Sequence, residues 1–531
     1  MLHTLRCRRG LASTPHHLAS QSALAVLREG GTAIEAAVAA AATIAVVYPH
    51  MNSIGGDGFW LIRLPGRDPI GIDACGRAGH VVSPQRYHEA GFSAIPQRGP
   101  WAANTVAGTV SGWEQALQLS ASINTPLPLS RLLRDAIDYA TEGVPLTHGC
   151  SELLALKQTE LASQPGFAAV FLDREGKSLP VGHTLRQPQL AQTLRTLANA
   201  GLASFYHGEV ADALSQDLAA CGALIDRQDL AAHAAQIVSP LVTEISAGRL
   251  YNLPPPTQGV ASLMILALFE RLGVREAESF AHLHGLIECT KRAFAFRDAE
   301  VGDPRFMRVD AQQALDDAGQ LDTWADAVDR TRATPWPWPA QPGDTVWLGC
   351  TDSSGCTVSL IQSTYFEFGS GVVLPATGVT WQNRGCSFRL AEEGCNALQP
   401  GRQPFHTLNP AMAQLRDGRW MGYGTMGGEG QPQTQAAIFT RYALFGQELQ
   451  QAVSAPRWLL GRTWGEASSN LKIEGDFDAG LIDELRAAGH ELQVIEPFSH
   501  LMGHAGAVVQ CADGTLEGAS DPRSDGSVAG F

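Results

Sequence analysis

Apolar positions change their spacing along the chain, and the changes mark the elements. From about Ser20 to Val47, Ala, Leu and Val recur at helical spacing, which predicts two consecutive helices broken at Gly30-Gly31. The run Ala36–Val47 follows Glu35 and is almost wholly apolar, yet shorter than the ~20 residues a membrane-spanning helix needs, so it reads as a buried helix. Phe59 to Leu64 reads as a strand entered from the turn Gly55-Gly56-Asp57-Gly58. The middle, Leu127 to Ala234, is dominated by helical patterns such as Leu190 to Leu202, with charged faces and no catalytic signature. Pro254-Pro255-Pro256-Thr257-Gln258-Gly259 is a stiff bend expected between a strand and a helix. From Ala333 the segment ATPWPWPAQPGD is too rich in proline for regular structure and reads as an exposed loop. After it, Val346, Leu348 and Cys350 alternate with their neighbours. Asp352-Ser353-Ser354-Gly355 reads as a turn, and Thr357 to Ile361 as the return strand of a hairpin. A helix is expected from about Gln431 to Leu444.

Composition narrows the class. A chain of 531 residues with 44% hydrophobic content can bury a large core, and its length favours two closely packed halves. The net charge of −15 argues against a nucleic-acid partner, which would need a basic face. No apolar stretch follows the basic residues of MLHTLRCRRG, so a cytoplasmic protein without a membrane partner is expected. The ten cysteines are scattered without CxxC pairs, which fits reduced, individually buried thiols. No metal site is expected: His282 and His284 are two apart, on different faces of a helix, and read as surface or capping residues. The Gly55–Gly58 turn lacks the lysine of a phosphate loop and is read as a tight turn.

One position stands out chemically. Thr345 follows an aspartate at the start of a strand, just after the proline-rich loop. Most threonines in that setting are ordinary β-branched residues. The company it keeps is distinctive: SALAVLREGGTAIEAAVAAAATIAVVYPHMNSIGGDGFWLI, NTVAGTVSGW, NLPPPTQGV, CTKRAFAFRDAEVGDPRF and GASDPRSDGSVAGF together resemble the γ-glutamyltransferase family of N-terminal-nucleophile hydrolases, almost end to end. The resemblance implies an α+β fold, a four-layer αββα sandwich. It also implies an inactive precursor that cleaves itself between Asp344 and Thr345, giving a large subunit of residues 1–344 and a small one of residues 345–531.

The same resemblance places the other parts. Thr345 is the expected nucleophile, Ser363 a hydroxyl that supports it, and Gly427-Gly428 the backbone donors of an oxyanion hole. His406-Thr407 fall where the family has a serine pair near the scissile group, and Asn383 matches an asparagine of the substrate pocket. Asn409, ahead of Pro410, is read as structural. No cofactor is implied, and whether the processed pair of subunits associates further is left open.

The chain also departs from its family. Where an arginine is expected to hold the substrate α-carboxylate, the sequence has Cys75, and only Arg77 could substitute. The acidic residues expected to hold an α-ammonium are gone, with Ser387 in place of an aspartate and Arg384 replacing a neutral side chain. An ammonium has nothing to pair with there, whereas a carboxylate suits a planar guanidinium. Tyr365 replaces an asparagine and is expected to shrink the pocket. The implied substrate is a small anionic amide without a free amine, and WQNRGCSF and PFHTLNP look like the branch containing oxamate amidohydrolase. Two alternatives remain open at this level: a γ-glutamyl hydrolase, transferase or glutaryl-type acylase, and an unprocessed, silent member in which Val346 replaces the family's second threonine. The short loop from Phe388 to His406 implies a reduced lid.

Overall fold

A computed structural model describes residues 2–336, 344–391, 393–461 and 470–531, with Asp344 described in its backbone only. The proline-rich stretch at 337–343 lies outside the described residues.

Two seven-stranded, wholly antiparallel sheets form the centre. One runs Ser527–Gly530, Gly10–Thr14, Asp344–Asp352, Thr357–Tyr365, Asp57–Arg63, Ile70–Ala74, Gln236–Val238. The other runs Leu5–Cys7, Leu516–Ser520, Ala505–Gln510, Trp420–Thr425, Ala411–Leu415, Gly248–Asn252, Leu241–Ile245. The helices His17–Arg28 and Ala33–Val47 cover the outer face of the first sheet, and Gly259–Leu272 and Gly430–Phe439 cover that of the second. This is the four-layer αββα sandwich, and alternation along single strands produces it: Val346, Leu348 and Cys350 face the Ala33–Val47 layer, while Trp347 faces the opposite sheet with Phe59, Ile361, Met412 and Trp420. Every residue of Ala33–Val47 is buried, which is why its sequence lacks a polar stripe. A capping box between Thr32 and Glu35 starts that helix two residues after the Gly30-Gly31 break.

Trp347 sits in a slot between the sheets, its indole N–H donating to Ser359 Oγ at 2.9 Å. A Cβ at Gly424 would lie 2.2 Å from the Trp347 ring, so the two sheets approach this closely only because that position has no side chain. Gly424→Ala is therefore expected to lower stability by about 1–3 kcal/mol through overpacking, measured by denaturant unfolding of the purified protein.

Two expectations need correction. His282 and His284 are both buried, not at the surface. His282 bonds Thr440 Oγ1 and caps Glu278 N–H, while His284 faces His490 at 2.8 Å and the Asp329 carbonyl at 2.7 Å. Their helix, Phe280–Glu300, is packed on more than one side, so opposite faces are both interior. Of the ten cysteines, all free, five are buried and five only half-buried. Among the described residues no helix is long and apolar enough to cross a membrane.

The C-terminal motif DPRSDG closes the molecule through a buried ionic network. Arg523 pairs with Glu474 and Asp521, and Arg457 with Asp521 at 2.6 Å. Burial alone would raise the Asp521 carboxyl, but the two arginines hold it below the usual carboxylate range.

Candidate active site

Thr345 begins the strand Asp344–Asp352, and a bulge surrounds it. Asp344 pairs with Tyr365 and Val346 with Gln362, so Ser363 and Thr364 together oppose Thr345. Strand alternation puts the Thr345 side chain on the same face as Trp347, inside the sandwich, and the residue is 1% exposed. Gln431, in the first turn of the Gly430–Phe439 helix, points its Nε2 at Thr345 Oγ1 from 3.5 Å. Its Oε1 is held by the Asn409 N–H at 3.2 Å and Nδ2 at 3.0 Å. Asn409 thus acts as a brace for Gln431, consistent with a structural role.

The Gly427-Gly428 turn leads into the same helix. Both glycines have left-handed φ, 113° and 51°, which a side chain would strain. Neither amide N–H meets an acceptor among the described residues, and a helix N-terminus adds its dipole behind them. Such a turn can stabilise a developing oxyanion. Its position is set from outside by Gln258, whose Nε2 donates to the carbonyls of Gly428 at 2.8 Å and Thr407 at 2.6 Å. Arg297 holds the other end of Gln258 at 3.0 Å. Gln258 and Gln431 were not singled out from sequence; both lie in segments, PPPTQG and GEGQPQ, read there only for their backbone.

Ser363 Oγ accepts the N–H of Tyr365 at 2.8 Å. Tyr365 is buried at φ 83°, a conformation that costs a non-glycine residue roughly 1–3 kcal/mol. Asn383 sustains that bend: its Oδ1 accepts the Phe366 N–H at 3.1 Å, and its Nδ2 donates to the Gln97 carbonyl at 2.8 Å. Both ends of its amide thus bond backbone, and Asn383 helps to shape this part of the site. Tyr365 in turn lies under Arg384, whose guanidinium carbon is 3.5 Å from the ring centroid.

Arg384 is the most unusual group in the centre. It is 1% exposed, and Nη2 donates to Thr407 Oγ1 at 3.0 Å, but Nε and Nη1 are buried with no partner. A buried cation left half-satisfied is expensive by an amount on the order of several kcal/mol, and the open Nε–H and Nη1–H groups, on different edges of the guanidinium, leave both charge and donors for an anion such as a carboxylate. Arg77 is placed differently. Its guanidinium bonds the Gly401 carbonyl at 3.2 Å and lies 3.8 Å from Asp303, and no contact with Thr345 or Arg384 is among its described bonds.

Behind Arg384 stands a buried pair. Asp57 Oδ2 meets His406 Nε2 at 3.0 Å, and Asp57 Oδ1 accepts from Gly76 N–H, Gly108 N–H and Gln382 Nε2 at 2.9, 3.1 and 3.0 Å. Burial pushes the Asp57 carboxyl up to about 7 against the pull of those donors and of Arg384, and burial, with Arg384, holds His406 well below its ordinary range. Cys75 lies within ligand distance of both, but the carboxylate is committed to hydrogen bonds and a guanidinium is close by, so the group does not fit a cation. The Gly55–Gly58 turn is tight, as read from sequence, yet its aspartate is part of the site. A pocket of about 510 Å³ opens on Thr407 and Glu429 and is lined also by Arg297, Ser387, Ala397 and Phe405.

The centre thus holds a buried strand-initial threonine, a positive-φ glycine turn and a half-satisfied arginine, and the chain as a whole resembles known proteins. The family described as gamma-glutamyltranspeptidase matches residues 19–531. The chain is 55% identical to the oxamate amidohydrolase proenzyme of Klebsiella pneumoniae over 98% of both chains, and 38% identical to a glutathione hydrolase-like proenzyme, YwrD, of Bacillus subtilis over 98% of both. Among solved structures, cephalosporin acylase from Bacillus halodurans superposes with a TM-score of 0.91 at 30% identity, covering 100% of this chain and 97% of that one. The chain belongs to the γ-glutamyltranspeptidase family, whose members here are hydrolytic enzymes.

Proposed function

We propose that the chain is a proenzyme that cleaves itself before Thr345 and then hydrolyses a small carboxylate-bearing amide, with oxamate, giving oxalate and ammonia, as the first candidate. The observation that carries the substrate class is Arg384, a buried guanidinium bonded to Thr407 and stacked on Tyr365, with Nε and Nη1 left open. The similarity to a relative named for oxamate supports the choice of amide.

The chemistry explains the need for scission. A threonine hydroxyl must lose its proton as it attacks a carbonyl. An α-amino group has an unperturbed pKa of about 7.7–8.0, so the new terminus at Thr345 can take that proton near neutral pH, whereas the amide nitrogen of the uncut chain cannot. In the first event Thr345 Oγ1 attacks the Asp344 carbonyl, the acyl group shifts from nitrogen to oxygen, and water releases the ester. The large and small subunits, residues 1–344 and 345–531, remain one folded body. In turnover the same oxygen attacks the substrate amide, the Gly427 and Gly428 N–H groups receive the oxyanion, ammonia leaves, and water hydrolyses the acyl-enzyme. Arg384 fixes the carboxylate, and Tyr365 closes the floor of the site.

Ammonia release from oxamate, measured beside p-nitroaniline release from a γ-glutamyl anilide, tests the reading. Turnover of oxamate at least about tenfold above the anilide in kcat/KM is expected, since the anilide brings an ammonium that would need to displace roughly 1.4 kcal/mol or more of repulsion. Activity on the anilide alone would contradict it. A glutaryl-type acylase is the second reading, favoured by the 510 Å³ pocket at Thr407, which has room for a substituent on the leaving amine.

A further inference from the structure

Arg384 poses a question its role as an anion receptor does not answer: what keeps an unsatisfied guanidinium inside a dry site before substrate arrives. The Asp57–His406 pair stands where an answer is needed. Asp57 comes from the turn before strand Asp57–Arg63, and His406 from the segment that also delivers Thr407, the residue Arg384 grips. The histidine is locked on every side: its N–H donates to the Pro256 carbonyl at 2.8 Å, its carbonyl accepts from Gln258, its ring meets Phe59 edge-on at 4.6 Å, and its Nδ1 faces the Leu408 N–H at 3.4 Å. Neither side chain touches Thr345 among the described contacts, so neither is placed to attack or to shuttle a proton to the nucleophile.

We propose that the Asp57–His406 pair is the specificity-setting countercharge of the site: ionised, it offsets Arg384 in the empty enzyme, and it takes up a proton from solvent when an anion binds at Arg384. The inference rests on the functional reading given above. The groups that face Asp57 are Arg384 and Gln382 from one loop, His406 from a second, Cys75 from the end of strand Ile70–Ala74, and the Tyr206 hydroxyl beyond Ala107. Of these, Arg384 is the cation, so substrate anion and Asp57 compete for it. Two negative charges around one buried guanidinium repel, and a proton on the pair relieves the repulsion. Burial already holds the carboxyl near the point where this exchange is easy, up to about 7, and the proton belongs to the coupled pair and not to one atom. Anion binding and proton binding are then linked, each strengthening the other by the same factor. The site would retain small anions best in mildly acidic to neutral solution and release them as pH rises.

Calorimetric titration of the processed wild-type enzyme with oxalate, fully ionised at neutral pH, in two buffers of different ionisation enthalpy reads the linkage directly. Uptake of up to about half a proton per bound anion at about pH 7, rising toward one at about pH 8, is expected. KM for oxamate should rise by up to roughly tenfold per pH unit between about pH 7 and pH 8.5, and Asp57→Asn should flatten that slope. A purely structural role for Asp57 would instead raise KM by the same factor at every pH, leaving the slope in place, and that result overturns the proposal. Should Asp57→Asn fail to fold, the proton count on the wild-type enzyme decides alone. Oxalate binding with no proton uptake overturns this inference and leaves the functional reading standing, whereas no oxalate binding and no oxamate turnover overturns both.

Discussion

Thr345→Ala should accumulate as one full-length chain of 56.5 kDa, with amidase turnover lost by a factor on the order of 10⁶. One atom, Oγ1, is asked to do two things. It must attack the Asp344 carbonyl to cut the chain, and it must attack each substrate amide afterwards. Alanine removes both reactions while changing little else, because the residue is buried at a bulge whose backbone pairing comes from Asp344 and Val346. No neighbour can substitute. Ser363 is one of two hydroxyl residues opposite it across the ladder, and its oxygen accepts the Tyr365 N–H and holds a left-handed residue in place. Thr345→Ser keeps the oxygen and should cleave and turn over, though more slowly, since the methyl that fixes the χ1 rotamer of a β-branched side chain is gone. A denaturing gel with the ammonia assay distinguishes all three proteins. Two bands and full activity in Thr345→Ala would remove the threonine from the chemistry.

Arg384→Gln is expected to leave processing intact and to raise KM for an anionic amide by roughly 30- to 1,000-fold, with kcat changed by a few-fold at most; this corresponds to about 2–4 kcal/mol, the range for removing one partner of a buried charge pair. Processing should survive because the scissile carbonyl belongs to Asp344 and is presented by the strand itself, without help from an anion receptor. The substrate has no such tether. On the proposed reading its carboxylate is held by the charge of Arg384 and by donors that are otherwise buried without partners. Glutamine keeps a polar contact for Thr407 Oγ1, now 3.0 Å from Nη2, but offers no charge and no second parallel donor. A neutral amide substrate is the control: its kcat/KM should hardly move. Equal losses on anionic and neutral amides would mean that Arg384 supports Tyr365 and the local fold, over whose ring it lies, and does not select charge.

Sequence periodicity and the structure agree best where one residue pattern has one solution. The alternation of Val346, Leu348 and Cys350, the turn at Asp352–Gly355 and the return strand appear as the hairpin Asp344–Asp352 and Thr357–Tyr365. The glycine break divides His17–Arg28 from Ala33–Val47, and Pro254–Gly259 joins a strand to a helix. The sandwich itself came from resemblance and could not have come from periodicity, because strands such as Thr357–Tyr365 are buried at every position and carry no one-sided signal.

The site was legible as a set of groups but not as a set of contacts. Threonine, glycine pair and arginine are each visible in local motifs. What joins them is long-range: Asp57 meets His406 across 349 residues, and Gln258 reaches Gly428 across 170. A glycine-rich turn announces its backbone conformation and says nothing of the carboxylate it presents, so the sequence alone does not mark Asp57. Arg77 shows the converse: contacts that its sequence position does not announce. Its type and spacing suited a carboxylate, but Gly401 and Asp303 lie nearer, and the guanidinium bonds what the fold brings to it. Asn383 likewise carries chemistry suited to a pocket, and its amide also bonds two backbone groups that shape the Tyr365 bend.

Amino-terminal sequencing of the chains in an active preparation bears most directly on the account. The prediction is a short chain that begins Thr-Val-Trp-Leu-Gly, from Thr345, present in proportion to the ammonia-releasing activity. A preparation that hydrolyses its amide at full rate while carrying no terminus at Thr345 would contradict it.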